Sequence, residues 1–267
     1  MEKTARVSVL KEIKAVNGEI FRMNFSWTDP APAAGQFFMI KPLRSSVFLG
    51  RAVSAAAWNE AAHTVSFLIA LRGRGTEELF DMRTGEKAEL IGPLGNTWAE
   101  FLPPAADNRA VALLSGGIGI APLKAFAAEL EDAGRRYDFY AGFRKAFDNE
   151  EERKEFLGNA AAGTSAYCIA FEDPGDQVNG SDKRGLILDY FDPEPYAAVY
   201  VCGPEAMLRA AAAKCKAAEI PCFISMERKM ACGVGACLGC SIETTKGMRR
   251  CCAGGPVFNA GEIVFNE

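Results

Sequence analysis

The chain has 267 residues, 49% of them hydrophobic and 24% charged, with a formal charge of −4 at neutral pH. This composition suits a globular protein that can bury a core, and with no basic run longer than two residues it argues against nucleic-acid binding. No apolar run approaches roughly 18 residues, which argues against a membrane span; the opening MEKTARVSVLKEI lacks an apolar signal core, so a cytoplasmic location is expected.

The first hundred residues read as β. Six runs alternate or carry β-formers: ARVSVLKEI, IFRMNFSW, GQFFMIKP, GRAVSAAAW, TVSFLIAL and KAELIGP. Turn signals such as Asn17-Gly18 and Thr84-Gly85 separate them. Six short antiparallel strands at this spacing predict a small barrel, interrupted by one short helix around TEELFDM. GRAVSAAAW places Arg51 and Ser54 among small and apolar residues. A fixed guanidinium suits a diphosphate, and a serine hydroxyl could hydrogen-bond a flavin ring. RGRGTEEL then supplies Gly73, Gly75 and Thr76 ahead of the helix, a second phosphate-like site, and GPLGN (92–96) is a further glycine turn.

LPPAADN (102–108) has no periodicity and reads as a linker. Beyond it the pattern changes. AVALLS is a buried-strand run, GGIGIAP a glycine loop and LKAFAAELEDAG a helix. YDFYAGFR, AYCIAFED and AAVYVCG read as strands; NEEERKEFLGNA and PEAMLRAAAAKCKAAEI read as helices. Strands alternating with helices predict a parallel sheet covered on both faces. Strand, glycine loop and helix in LLSGGIGIAPL is the layout that offers N–H groups to a pyrophosphate. Gly116, Gly117 and Gly119 lie in that loop. Cys202, Gly203 and Pro204 close a later strand, a second turn at a strand's carboxyl end. Arg144 and Lys145 follow another strand end, where a 2′-phosphate could bind, so NADP stays open beside NAD.

The last 40 residues are too few for a hydrophobic core of their own, so something else must hold them. Five of the nine cysteines fall between Cys232 and Cys252. Clustered cysteines in a chain without secretion signals point to a metal site rather than a disulfide framework. Cys232, Cys237 and Cys240 have the C-x4-C-x2-C spacing of a plant-type [2Fe–2S] loop, which also needs a distant fourth cysteine. The intervening Gly233, Gly235, Ala236 and Gly239 are small enough to let backbone N–H groups approach sulfide. Structural zinc is the alternative, but its paired C-x2-C units fit this spacing poorly.

Arg51-Ala52-Val53-Ser54, GRGT, GPLGN, GGIGIAPL, CGPEAML and MERKMACGVGACLGC…CAGGPVF follow one order over nearly the whole chain. That order resembles the ferredoxin–NADP reductase superfamily, and the cysteine tail resembles the electron-transfer subunits of two-subunit, NAD-dependent dihydroorotate dehydrogenases. The resemblance implies a β + α/β chain in three parts: an FAD-binding β-barrel (1–102), an α/β domain for NAD(H) (103–222) and a [2Fe–2S] subdomain (223–267). It implies that Arg51, Ala52, Val53, Ser54, Gly75 and Thr76 contact FAD, that Leu68, Ile69 and Ala70 lie along it, and that Ser54 sits near the flavin ring. Gly116, Gly117 and Gly119 would line the nicotinamide nucleotide site with Gly203 and Pro204, and Cys202 would sit near the nicotinamide. In the family two residues separate the last cysteine from G-P-V-F. Here Ala253-Gly254 precedes Gly255-Pro256-Val257-Phe258, so Cys252 is the match. Adjacent residues on an extended chain point to opposite faces, which leaves its neighbour Cys251 to pack.

The resemblance also implies a partner, an FMN-containing dihydroorotate dehydrogenase subunit in a heterotetramer of two of each. Electrons would run from dihydroorotate through the partner's FMN, the cluster and FAD to NAD+. Two rivals stand beside this reading. One is a related reductase subunit serving ferredoxin or a sulfur compound. The other is a zinc-tailed binding protein without catalysis. The single histidine, His63, leaves no Ser-His-Asp or Cys-His set for a hydrolase.

Overall fold

Apolar residues at every second position of IFRMNFS put Phe21, Met23 and Phe25 on one face, and all three are fully buried. The computed structural model describes residues 4–28, 30–158, 166–175 and 180–265. Its first sheet has strands β1 (Thr4–Ala15), β2 (Ile20–Ser26), β3 (Phe37–Pro42), β4 (Arg51–Ser54), β5 (Ala57–Asn59), β6 (Thr64–Ala70) and β7 (Lys87–Leu94). Helix α1 (Arg74–Phe80) lies between β6 and β7. The order is β4-β3-β7-β1-β2-β6-β5, and every pairing is antiparallel.

Seven strands stand where six were expected, because GRAVSAAAW is two strands and not one. β4 pairs with β3 at one edge and β5 with β6 at the other, with only Ala55 and Ala56 between them. The sheet must therefore curl until its edges adjoin. Ala55 N–H donates to Gln36 O at 3.0 Å on one side and Ala56 N–H to Ser66 O at 2.9 Å on the other. The interior is aromatic. Trp27 meets Phe38 edge-on at 4.9 Å, Phe38 meets Phe67 at 5.4 Å, and a Cβ on Gly92 would strike the Phe38 ring.

The second sheet contains β8 (Val111–Gly116), β9 (Tyr137–Phe143), β10 (Tyr167–Phe171), β11 (Lys183–Arg184), β12 (Val199–Cys202), β13 (Cys222–Ser225) and β16 (Val257–Asn259). Helices α2 (Ile120–Asp132), α3 (Glu150–Leu157) and α4 (Glu205–Ala217) connect them. The order is β11-β10-β9-β8-β12-β13-β16, parallel except for β16. All six residues of β8 are buried, as a central parallel strand covered on both faces requires. α2 buries Ile120, Leu123, Phe126, Ala127 and Leu130 at helical spacing, and Gly134 at φ +62° follows its end.

Charged and polar contacts join the two sheets' domains. Asn17 donates to the buried Glu152 carboxylate at 2.6 Å, and Arg22 pairs with Glu155 at 2.8 Å. Ala34 N–H donates to Glu129 at 2.6 Å. Ala56, Leu68 and Ala121 form a small apolar cluster across the same junction.

The tail adds a two-stranded hairpin, β14 (Ser241–Thr244) with β15 (Gly247–Arg250), and one helical turn, α5 (Cys251–Gly254). It has no separate core. β16 extends the α/β sheet, and one hydrophobic cluster holds Phe37, Met39 and Leu94 of the first sheet with Val201 and Ile224 of the second and Cys240, Ile242 and Phe258 of the tail. β13, which carries β16, spans the expected boundary at 222/223. On the other side, Asn96 acts as a substitute strand. Its Nδ2 donates to Val257 O at 2.8 Å, and its Oδ1 accepts from Val257 N–H at 3.0 Å. Asn96 N–H also donates to Gly255 O at 2.7 Å. Asn96→Ala leaves both polar groups of a buried residue unpaired. It is expected to destabilise the chain by about 1–3 kcal/mol, read as a lower urea midpoint at unchanged slope.

Candidate functional site

Strand order reverses direction between β8 and β12, and ligands of open α/β sheets bind at the strand carboxyl ends beside such a switch. Both glycine turns lie there. Gly116 ends β8, with Gly117 and Gly119 just beyond it; Cys202 ends β12, with Gly203 and Pro204 just beyond it. Their backbones touch. A Cβ on Gly119 would lie 2.3 Å from Cys202 O, and one on Gly116 would lie 2.8 Å from Pro204 and 2.6 Å from Met207 Sδ. Gly117 takes φ +52°, a left-handed conformation that favours glycine. Burial pushes the Cys202 thiol up to about 12 against a hydrogen bond with Ser225, so it is a neutral thiol at physiological pH. Arg144 and Lys145 are exposed just beyond β9.

The first sheet's candidates gather on β4, β6 and α1. Arg51 and Gly75, 24 positions apart in sequence, are in contact: a Cβ on Gly75 would lie 2.5 Å from Arg51 Nε and 2.7 Å from its Cζ. The missing side chain is a cradle for the guanidinium, whose Nη2 also donates to Leu49 O at 2.8 Å. Thr76 Oγ1 accepts from Arg72 N–H at 2.9 Å and donates to Gly73 O at 2.8 Å, closing the turn. Ala52 and Val53 continue β4 to Ser54, which is half-buried opposite Phe37. On β6, Leu68 faces the α/β domain with Ala121, whereas Ile69 belongs to the interior of the first sheet, and Ala70 ends the strand half-buried. Leu68 thus touches the helix that follows the glycine loop, which brings the two nucleotide-type sites to one junction.

All nine cysteines are free thiols. The tail's four candidates form two pairs. Cys240 Sγ donates to Cys252 Sγ at 3.2 Å, and Cys237 N–H donates to Cys232 Sγ at 3.4 Å. Among the described residues no three cysteine, histidine, aspartate or glutamate side chains converge on a point as a single metal ion requires. Two thiol pairs suit two irons better than one tetrahedral zinc. Burial opposes charge on Cys232, yet the N–H groups of Cys237, Val234 and Ala236 outweigh it and hold this thiol at about 6. A Cβ on Gly233 would lie 2.5 Å from Met39, and one on Gly235 would lie 2.9 Å from Ala253, so small residues bring the loop down onto its supports. Thiolate donors surrounded by backbone N–H groups fit an iron–sulfur cluster. Cys251 and Cys252 lie on the helical turn α5 and not on the extended chain expected; both are buried in the shared core with their thiols pushed up to about 12 by burial, and Cys252 faces Cys240.

Two contributors had no clear sequence signal. Asn96 sits in GPLGN, which reads as an ordinary turn, and only its contact with Val257 reveals its role. Arg250 looks like half of a solvated Arg-Arg pair, yet it hydrogen-bonds the cysteine loop at Gly235.

Residues 227–264 match the iron–sulfur cluster binding domain of dihydroorotate dehydrogenase B. Over 234 residues, 87% of each chain, the sequence is 37% identical to the dihydroorotate dehydrogenase B (NAD(+)) electron transfer subunit of Clostridium perfringens. It is 35% identical to the same subunit of Clostridium acetobutylicum, again over 87% of each chain. Among solved structures, an NADH-dependent reduced ferredoxin–NADP oxidoreductase superposes with a TM-score of 0.78 at 19% identity, covering 96% of this chain and 89% of that one. A ferredoxin NADP+ reductase from Neisseria gonorrhoeae gives 0.63 at 18% identity, covering 86% and 96%. These two share the fold. With the paired thiols, the two adjoining glycine turns and this degree of identity over most of its length, the chain belongs to the family of dihydroorotate dehydrogenase B (NAD(+)) electron transfer subunits.

Proposed function

We propose that this chain passes electrons between a partner dehydrogenase subunit, which oxidises dihydroorotate to orotate, and NAD+. The observation that carries this reading is the seat of the paired thiols: the tail packs at once on the first sheet and on the α/β sheet. When bound, flavin would supply exchange between two-electron hydride and single electrons, and the cluster would supply one-electron transfer.

The chain's own residues then have distinct tasks. Arg51, held against Gly75, binds the FAD diphosphate with the Gly75–Thr76 turn. Ala52, Val53 and Ser54 line the flavin's edge, with the Ser54 hydroxyl as its hydrogen-bonding group. Leu68, Ile69 and Ala70 run along the FAD, Ile69 through its backbone because its side chain faces the interior. Gly116, Gly117 and Gly119 admit the nicotinamide nucleotide's phosphates beside Gly203 and Pro204. Cys202, neutral and half-buried, lies beside the nicotinamide. Cys232 with Cys237 holds one iron, and Cys240 with Cys252 the other. Residues 1–102, 103–222 and 223–267 accordingly serve FAD, NAD(H) and the cluster. The partner carries FMN and the dihydroorotate site, two copies of each subunit assemble, and the free cysteines suit a reducing cytoplasm. No described helix is long and apolar enough to cross a membrane.

Three measurements test these assignments. Cys252→Ser is expected to lose iron and sulfide, whereas Cys251→Ser keeps both and its visible spectrum. Gly75→Val, which displaces Arg51, is expected to weaken FAD binding about tenfold or more, as removal of a charge-assisted hydrogen bond does, by fluorescence titration. Dihydroorotate is expected to reduce NAD+ only when this chain and its native FMN subunit are combined. A fully loaded chain that fails in that mixture sinks the assignment.

A further inference from the structure

The cysteine loop is held by an exposed cation that no described carboxylate pairs with. Arg250 ends β15 directly before Cys251 and Cys252, and its Nη1 donates to Gly235 O at 2.7 Å. Gly235 lies between Cys232 and Cys237 at φ +86°. Its own N–H hydrogen-bonds the Cys252 sulfur. One peptide residue thus touches Arg250 through its oxygen and a candidate iron ligand through its nitrogen. A Cβ there would lie 3.6 Å from Arg250 Nη1 and 2.9 Å from Ala253, so no other residue type leaves this arrangement in place. The neighbouring Arg249 is arranged differently. It pairs with Glu262 at 3.4 Å, donates to Gly254 O at 2.8 Å and lies over the Phe258 ring at 5.1 Å. Among the described residues no carboxylate comes within ion-pair distance of Arg250.

We propose that Arg250 is a positioning residue that raises the reduction potential of the cluster, by holding the carbonyl of Gly235, the residue whose N–H faces Cys252, and by placing beside the loop a charge that no described carboxylate pairs with. The inference rests on the cluster reading above. One-electron reduction adds a negative charge to a group already surrounded by thiolates. A nearby unpaired cation favours that added charge, and so does an N–H aimed at a ligand sulfur. Arg249, which shares Glu262 with Lys246 and is tied to Gly254 O and the Phe258 ring instead of Gly235, has little such effect.

The test uses the full chain loaded with FAD and cluster, comparing Arg250→Lys, Arg250→Gln, Arg250→Met and Arg249→Gln. Iron and sulfide content and the visible spectrum of the unsubstituted protein report on the cluster itself; a chain that binds none overturns the cluster reading and this inference together. Midpoint potentials of the loaded variants report on Arg250. Arg250→Gln and Arg250→Met are expected to shift the potential negative by about a tenfold change in the redox equilibrium, which is about 59 mV for one electron. Arg250→Lys recovers most of that shift, Arg250→Met alters the EPR signal of the reduced cluster, and Arg249→Gln leaves the potential in place. If Arg250→Met fails to fold, the Gln and Lys variants carry the comparison. Unchanged potentials in Arg250→Gln at full iron and sulfide content, or an equal shift in Arg249→Gln, overturn the proposal.

Discussion

The hydrogen-bonded pair between the Asn96 amide and the Val257 backbone joins the molecule's three parts. On one side Val257 belongs to β16, which hydrogen-bonds to β13 of the α/β sheet; on the other it receives a side chain from the turn after β7. Buried backbone groups must be paired, and here Asn96 satisfies both of Val257's while neighbouring residues of the same strand segment face β13. The tail has too few apolar residues to fold around itself, so its position is dictated by these bonds and by the core it shares with both sheets. Four thiols on a free segment would have no defined relation to anything else. Seated this way, they have a fixed place relative to both nucleotide-type sites.

Missing side chains matter as much as present ones. Arg51 occupies the volume a Cβ on Gly75 would take, Cys202 O comes within 2.3 Å of the same point on Gly119, and Met39 fills the space beside Gly233. Each contact joins two elements distant in sequence at one of the proposed cofactor sites. Close backbone approach lets phosphate oxygens or sulfides meet N–H groups directly, without a shell of side chains between them. The same property that makes these glycines useful makes substitution there costly, since the colliding atoms at Gly119 are backbone.

Much of the fold was legible because periodicity is local. IFRMNFS, TVSFLIAL and AVALLS declared their strands through alternation or continuous apolarity, and α2 and α4 through helical spacing. GRAVSAAAW misled because an unbroken run of β-compatible residues does not reveal that its two ends pair with opposite edges of a curled sheet. β13 and β16 were missed for a related reason. At four and three residues they are too short for a periodic signal and exist because a neighbouring edge offers unpaired hydrogen-bonding groups. The cysteine spacing stood out, since three ligands within nine residues form a local motif, whereas Arg250 and Asn96 act across chain separations that carry no pattern.

From the sequence alone came the β then α/β order, the two glycine loops and the iron-type cysteine set, because each depends on residues near one another along the chain. Only the tertiary structure decided that Cys252 meets Cys240 from a helical turn, that Arg51 crosses Gly75, and that the two glycine turns adjoin at one switch point. Those facts depend on which surfaces meet after the chain has folded, and packing between distant segments, unlike periodicity, leaves no trace in residue spacing.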